Sequence, residues 1–131
     1  MSRPVITLLA AAAVLAAPAA AAPRQTPEQR LAELTKGAVP GKPVTCLPFG
    51  PTLDSERIEG IGFVYRYGRT LYVNRFSGGC PALQPDTVPV IESHEGRQCR
   101  GDFARIVDQS AHFSRGTCVV GDFVPYQLPR K

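Results

Sequence analysis

RIEGIGFVYRYGRTLYVNRF, from Arg57 to Phe76, is the stretch whose reading decides the fold. Ile61, Phe63, Tyr65 and Tyr67 alternate with Gly62, Val64 and Arg66, the period of two that marks a strand. Gly68-Arg69 follows, and Thr70 to Phe76 resumes the β-rich pattern. Glycine first in a two-residue loop suits a type II′ hairpin turn. That turn sets Tyr67 opposite Thr70, Tyr65 opposite Tyr72, Val64 opposite Val73 and Ile61 opposite Phe76. One face then carries Ile61, Phe63, Tyr65, Tyr72 and Phe76. The other carries Val64, Leu71 and Val73, flanked by Arg66 and Arg75. Cross-strand aromatic pairs help fix such a register. Apolar side chains on both faces place the hairpin inside a barrel or sandwich.

Outward from the hairpin the chain stays β-rich. Ser77-Gly78-Gly79-Cys80-Pro81 reads as a turn and Thr87 to Glu92 as a strand broken by Pro89. In Cys99 to Asp108, Phe103, Ile106 and Val107 fit helical spacing, while Phe103, Arg105 and Val107 fit a strand; Gly101 and the short length favour the strand. Thr117 to Val124 reads as one final strand bent at Gly121. On the N-terminal side, Val44 to Leu47 is a short strand that its flanking prolines confine to an edge or a brief pairing. Thr26-Pro27-Glu28-Gln29 is a helix start, with Thr26 as N-cap, Pro27 in the first turn and Gln29 completing a capping box. Leu31 and Leu34 give that helix an apolar stripe, and Gly37 ends it. The expected fold is therefore mainly β, a small barrel or sandwich of five to six strands with a short N-terminal helix.

The four cysteines, Cys46, Cys80, Cys99 and Cys118, are expected to staple it. Structural zinc sites bring ligands in close pairs, whereas the nearest two cysteines here are 19 positions apart. Neither a zinc knuckle nor a redox C-x-x-C motif exists, and two disulfides are the expected use. Three connectivities are open. The expectation is Cys46–Cys99 with Cys80–Cys118, which would tie early strands to late ones; the main competitor is Cys46–Cys80 with Cys99–Cys118.

The oxidising compartment that disulfides need is consistent with the N-terminus. Arg3, an apolar run from Val5 to Ala17, Pro18 and the alanines at 19–22 form the order of a secretory signal. Proline is poorly tolerated just after a cut, so cleavage is expected after Ala21, giving a signal peptide over 1–21 and a single domain over 22–131. A spanning helix needs about 20 strongly apolar residues; this run is shorter and alanine-rich, and no later segment is apolar enough. The expected location is the periplasm, with secretion to the exterior as the alternative. Loss of Arg3 lowers the net charge from +4 to +3. Basic and acidic residues are interspersed, unlike the basic stripes of nucleic-acid binders, so no nucleic-acid partner is expected.

Pro43-Val44-Thr45-Cys46, Leu71-Tyr72-Val73-Asn74-Arg75 and Gly121-Asp122-Phe123-Val124-Pro125-Tyr126 resemble a family of small exported alphaproteobacterial proteins. The resemblance would cover most of the mature chain. It implies no activity, because that family has none assigned, and no site residue carries over from it.

A hydrolase needs a nucleophile, a base and an orienting group. His94 and His112 both lie in polar segments that read as solvent-facing loops, and no G-x-S-x-G elbow surrounds a serine. No H-E-x-x-H, EF-hand or phosphate loop occurs, so no metal and no cofactor is expected; a spatial cluster of His94, Glu95 and His112 stays open. Asp102 and Asp122 each follow a glycine and read as turn residues. The candidate binding surface is the hairpin, with Tyr65, Arg66, Tyr72 and Arg75, since arginine beside tyrosine suits carboxylates, glycans or an acidic protein surface. No catalytic residue is assigned. The expected function is a monomeric, non-enzymatic exported protein that binds an envelope protein or a cell-wall component. The alternatives are an inhibitor of a secreted hydrolase, a lysozyme or protease, using Ser77 to Pro85 or Glu92 to Gln98 as its loop, and a small periplasmic hydrolase centred on a histidine.

Overall fold

The computed structural model describes residue 4 and residues 12–52 and 54–130. Arg3 and the first half of the apolar run lie outside the described residues, and residues 12–25 are exposed without helix or strand. None of the described helices is long and apolar enough to cross a membrane.

The only helix among the described residues, α1 (Pro27–Leu34), begins as its sequence requires. The Thr26 hydroxyl accepts from the Gln29 N–H, and the Gln29 side chain accepts from the Thr26 N–H. Eight short strands follow: β1 (Val39–Pro40), β2 (Asp54–Ile58), β3 (Gly62–Tyr67), β4 (Thr70–Arg75), β5 (Thr87–Glu92), β6 (Phe103–Asp108), β7 (Ser114–Val119) and β8 (Phe123–Gln127). They form an antiparallel five-stranded sheet in the order β1-β8-β4-β3-β2 and a three-stranded sheet in the order β5-β6-β7. The fold is mainly β, stapled by Cys46–Cys99 and Cys80–Cys118.

The hairpin has the expected register: Tyr67 pairs with Thr70, Tyr65 with Tyr72 and Val64 with Val73. Positive φ falls on Gly68 and not on Arg69, as a type II′ turn requires. Its two faces serve two cores. Tyr65 and Phe76 join Leu47, Cys80, Leu83, Ala104, Ile106, Val120 and Phe123 between the sheets. Val64, Leu71 and Val73 join Ile58 and Leu31 beneath α1. Ile61 departs from the expected face. It lies in the turn before β3, out of the strand's alternation, and packs toward the helix side. Two ion pairs hold α1 on the sheet, Arg30 to Glu56 at 2.6 Å and Arg75 to Glu28 at 2.7 Å.

Three other segments complete the comparison with the sequence. The Val44 to Leu47 segment forms only single bridges, Val44 to Phe123 and Cys46 to Cys99, in line with its prolines. The final strand is two strands: β7 belongs to the three-stranded sheet and β8 to the other, with Gly121 between them. β2, Asp-Ser-Glu-Arg-Ile, is a strand that its polar composition conceals; it is an edge with only Ile58 fully buried.

Candidate functional site

The hairpin cannot present its four candidate residues as one surface. Neighbours along a strand point to opposite faces, so Tyr65 and Tyr72 face the inter-sheet side while Arg66 and Arg75 face the helix side. Tyr65 is buried, its ring 5.9 Å from that of Phe63. Tyr72 is half-buried, with its ring edge-on to Tyr67 at 5.4 Å. Arg75 is engaged by the Glu28 carboxylate, and its contact is structural. Only Arg66 of the four is exposed and free of an ion pair among the described residues.

An open cleft of about 470 Å³ lies instead where one end of the inter-sheet space meets two loops. One wall is the segment Leu47-Pro48-Phe49-Gly50 with Thr52; the other is Ser93 with Gly96-Arg97-Gln98. Ser55, Tyr65 and Tyr67 line its sheet side. The walls leave directly from bonded cysteines, since Leu47 follows Cys46 and Gln98 precedes Cys99. The disulfide thus clamps the two loops together, and the Leu47 N–H donates to the Gln98 carbonyl at 2.9 Å beside it.

Within the cleft, the Tyr65 hydroxyl donates to Gln98 Oε1 at 2.7 Å. Burial pushes the Tyr65 phenol up to about 12, an effect the Gln98 hydrogen bond partly offsets. The phenol is therefore a neutral, committed donor at physiological pH. The Arg97 guanidinium stacks over the Phe49 ring, 4.3 Å from its centroid. Phe49 is nonetheless 70% exposed, an aromatic ring held at the surface. Arg97 is short of partners: Nη1 reaches the Leu47 carbonyl at 3.4 Å, Nη2 stands 3.8 Å from Glu95, and Nε is buried without an acceptor. Both contacts are longer than charge-assisted hydrogen bonds. By contrast, Arg30, Arg75 and Arg115 each grip carboxylates at 2.6–3.0 Å.

Neither histidine side chain is hydrogen-bonded to a hydroxyl among the described residues. Both are exposed loop residues, as their sequence contexts indicate. His94 Nδ1 stands 3.6 Å from Asp102 Oδ1. The hydroxyl of the adjacent Ser93 donates to the Arg97 carbonyl. His94, Glu95 and His112 do not converge into a ligand group among the described residues; Cys46, Glu95 and Cys99 do, within 4.8 Å, but the two sulfurs are bonded to each other. Asp102 is buried rather than a free turn carboxylate: its Oδ2 accepts from the Cys99 N–H at 2.8 Å and braces the disulfide. Asp122 lies 3.4 Å from Arg100. Of the two proposed inhibitory loops, Ser77 to Pro85 buries Cys80 and Leu83 completely, whereas residues 92–96 are exposed.

Sequence reasoning missed Phe49 and Arg97. The signal that could have found them is the expected Cys46–Cys99 bond, which brings residues 47–50 beside residues 95–98. No protein family, curated protein or solved structure matches the chain.

Proposed function

We propose that this is an exported binding protein of the bacterial envelope that holds a carboxylate-bearing cell-wall component in the Phe49–Arg97 cleft. One observation carries the reading: the Arg97 guanidinium is stacked on an exposed aromatic ring inside a disulfide-clamped cleft, and among the described residues its nearest carboxylate, Glu95, stands 3.8 Å away, outside hydrogen-bonding range. A planar guanidinium pairs with carboxylates in a fork and stacks on rings. Sugar and peptide groups match the remaining lining, where Ser55, Thr52, Ser93, Gln98 and Tyr67 supply hydroxyls and an amide beside the apolar faces of Phe49 and Tyr67. The signal-like residues 1–21 and the two disulfides support export, and a periplasmic site of action is part of the proposal.

Calorimetric titration of the oxidised protein with purified muropeptides tests it. Saturable binding that Arg97→Gln weakens at least about tenfold, the loss typical of one charge-assisted contact, is the expected result. No binding, or equal binding by the variant, sinks the reading.

A second reading is inhibition of a secreted hydrolase by the exposed 92–96 loop. It is favoured by the position of that loop, between β5 and the bonded Cys99 that anchors it. Unchanged rates across a panel of lysozymes and proteases would remove it.

A further inference from the structure

A second cleft, of about 690 Å³, lies at the turn of the hairpin and is lined by Lys36, Arg66, Gly68, Arg69, Leu128, Pro129 and Arg130. Its four charged residues are all cations, and they come from four separate places: the turn after α1, strand β3, the hairpin turn and the C-terminal segment. Their assembly is held by the backbone. The Leu128 N–H donates to the Arg69 carbonyl at 3.0 Å, and Arg69 Nη2 donates to the Leu128 carbonyl at 3.1 Å. These bonds press the C-terminal segment against the hairpin turn and so carry Arg130 toward Arg69. Lys36 sits just past the end of α1, where a cation complements the exposed helix carbonyls.

What sets this cluster apart is that its four cations share one cleft whose lining, among the described residues, holds no carboxylate. Arg30, Arg75, Arg100 and Arg115 each meet a carboxylate of their own chain. Lys36, Arg66, Arg69 and Arg130 meet none within 4.0 Å among the described residues. The nearest candidate by register is Asp54, paired with Arg66 across β2 and β3, and it makes no ion pair with it. Like charges gathered without a counter-charge repel, and a bound anion relieves that repulsion. Three guanidinium groups, each with a fork of donors, suit the several oxygens of a phosphoryl group better than a single carboxylate. The apolar surfaces of Leu128 and Pro129 beside them suit a phosphate attached to an organic group.

We infer that the Lys36–Arg66–Arg69–Arg130 cleft is a phosphoryl-binding site, separate from the Phe49–Arg97 cleft and independent of the ligand proposed there. The phosphate could be free or carried on an anionic lipid headgroup, and the two sources are separated by experiment.

The oxidised full chain is titrated with inorganic phosphate while amide resonances are followed. In parallel it is sedimented with phosphatidylcholine vesicles, with and without phosphatidylglycerol. Saturable shifts at Gly68, Arg69 and Leu128 identify free phosphate as a ligand; co-sedimentation only with phosphatidylglycerol identifies the headgroup. Either result upholds the site if Arg66→Glu/Arg69→Glu weakens binding at least about tenfold. Because Arg69 also holds the C-terminal segment, Lys36→Glu/Arg130→Glu, which leaves that contact intact, must give a comparable loss. Arg105→Glu, on the other sheet, should change binding by less than about twofold, since screening limits its reach. Binding of neither probe overturns the inference. So does an Arg105→Glu loss equal to that of the double variants, which would show attraction to overall charge alone.

Discussion

A Cβ on Gly121 would stand 2.2 Å from the carbonyl oxygen of Arg75, so two backbones touch where the chain crosses from β7 to β8. The crossing needs this closeness because the last strand serves the five-stranded sheet and the one before it serves the other. Gly121→Ala forces backbone rather than a side chain to yield. The expected cost is about 3 kcal/mol, read from urea denaturation. Gly41→Ala is the contrast: its Cβ would meet the Pro125 ring at 3.2 Å, a contact that needs a shift of only tenths of an ångström. That variant should lose less than about 1 kcal/mol.

Asn74 secures the same crossing from the sheet. It is buried, and its Nδ2 donates to the Gly121 carbonyl at 2.8 Å and to the Asp122 carbonyl at 3.3 Å. Asn74→Leu removes the donor and leaves a buried carbonyl unmet, a loss of about 1–3 kcal/mol. Amide exchange should report it as faster opening of β8 relative to β3.

The two disulfides should be separable by function. Each closes a long loop, with sequence separations of 53 and 38, worth about 4 kcal/mol in the chain-entropy account. Cys46→Ala/Cys99→Ala and Cys80→Ala/Cys118→Ala are therefore expected to fall in stability by similar amounts. Only the first should disturb the cleft, seen as shifted resonances of Phe49 and Arg97 and as lost muropeptide binding below its melting temperature. Equal effects of both variants on the cleft would show that the loops are not held by Cys46–Cys99.

Tyr65 should ionise late. Burial raises its phenol to about 12, whereas an unfolded tyrosine titrates near about 10. The fold favours the protonated form, so its contribution is fully present below the unfolded value and is lost as pH rises through the folded one. Ultraviolet titration should show a tyrosinate step that arrives with unfolding, and Tyr65→Phe should remove that step.

Asp108 is one of the carboxylates through which acid acts. Hydrogen bonds from the Ala111 N–H, from Arg115 and from the Ser110 N–H hold its carboxyl below the usual range. A lowered native value means the stabilisation is present above the unfolded value, near about 4, and disappears as pH falls through the native one. Asp108→Asn should flatten the acid limb of the stability profile; an unchanged limb would place acid sensitivity elsewhere.

What could be read from the sequence follows from where local rules coincide with the tertiary demand. The β3–β4 register was legible because one glycine-led turn fixes every later pair, and α1 was legible because Thr26, Pro27 and Gln29 each satisfy an end group of the helix. β2 was hidden because an edge strand with exposed positions has no need of apolar residues. The division at Gly121 was hidden because a continuous β-rich run looks the same whether it stays in one sheet or changes sheet. Asp102 read as a turn residue, and the interior roles of Asp108 and Asn74 were hidden, because nothing local distinguishes a polar side chain that binds backbone in the interior from one that meets water. The cleft was least legible, since Phe49 and Arg97 meet through a cross-link and a short backbone pairing between distant segments.

That cross-link has a partner with which it is interleaved. Cys80 lies inside the loop closed by Cys46 and Cys99, and Cys118 lies outside it. Every peptide bond between Cys46 and Cys118 is consequently spanned by at least one bridge. A protease that cuts once anywhere in that interval nicks the protein without separating its pieces, and the sheets remain to hold the cut ends in place. The competing pairing would have left the stretch between Cys80 and Cys99 unspanned, where a single cut divides the molecule in two. This wiring makes a first proteolytic wound survivable.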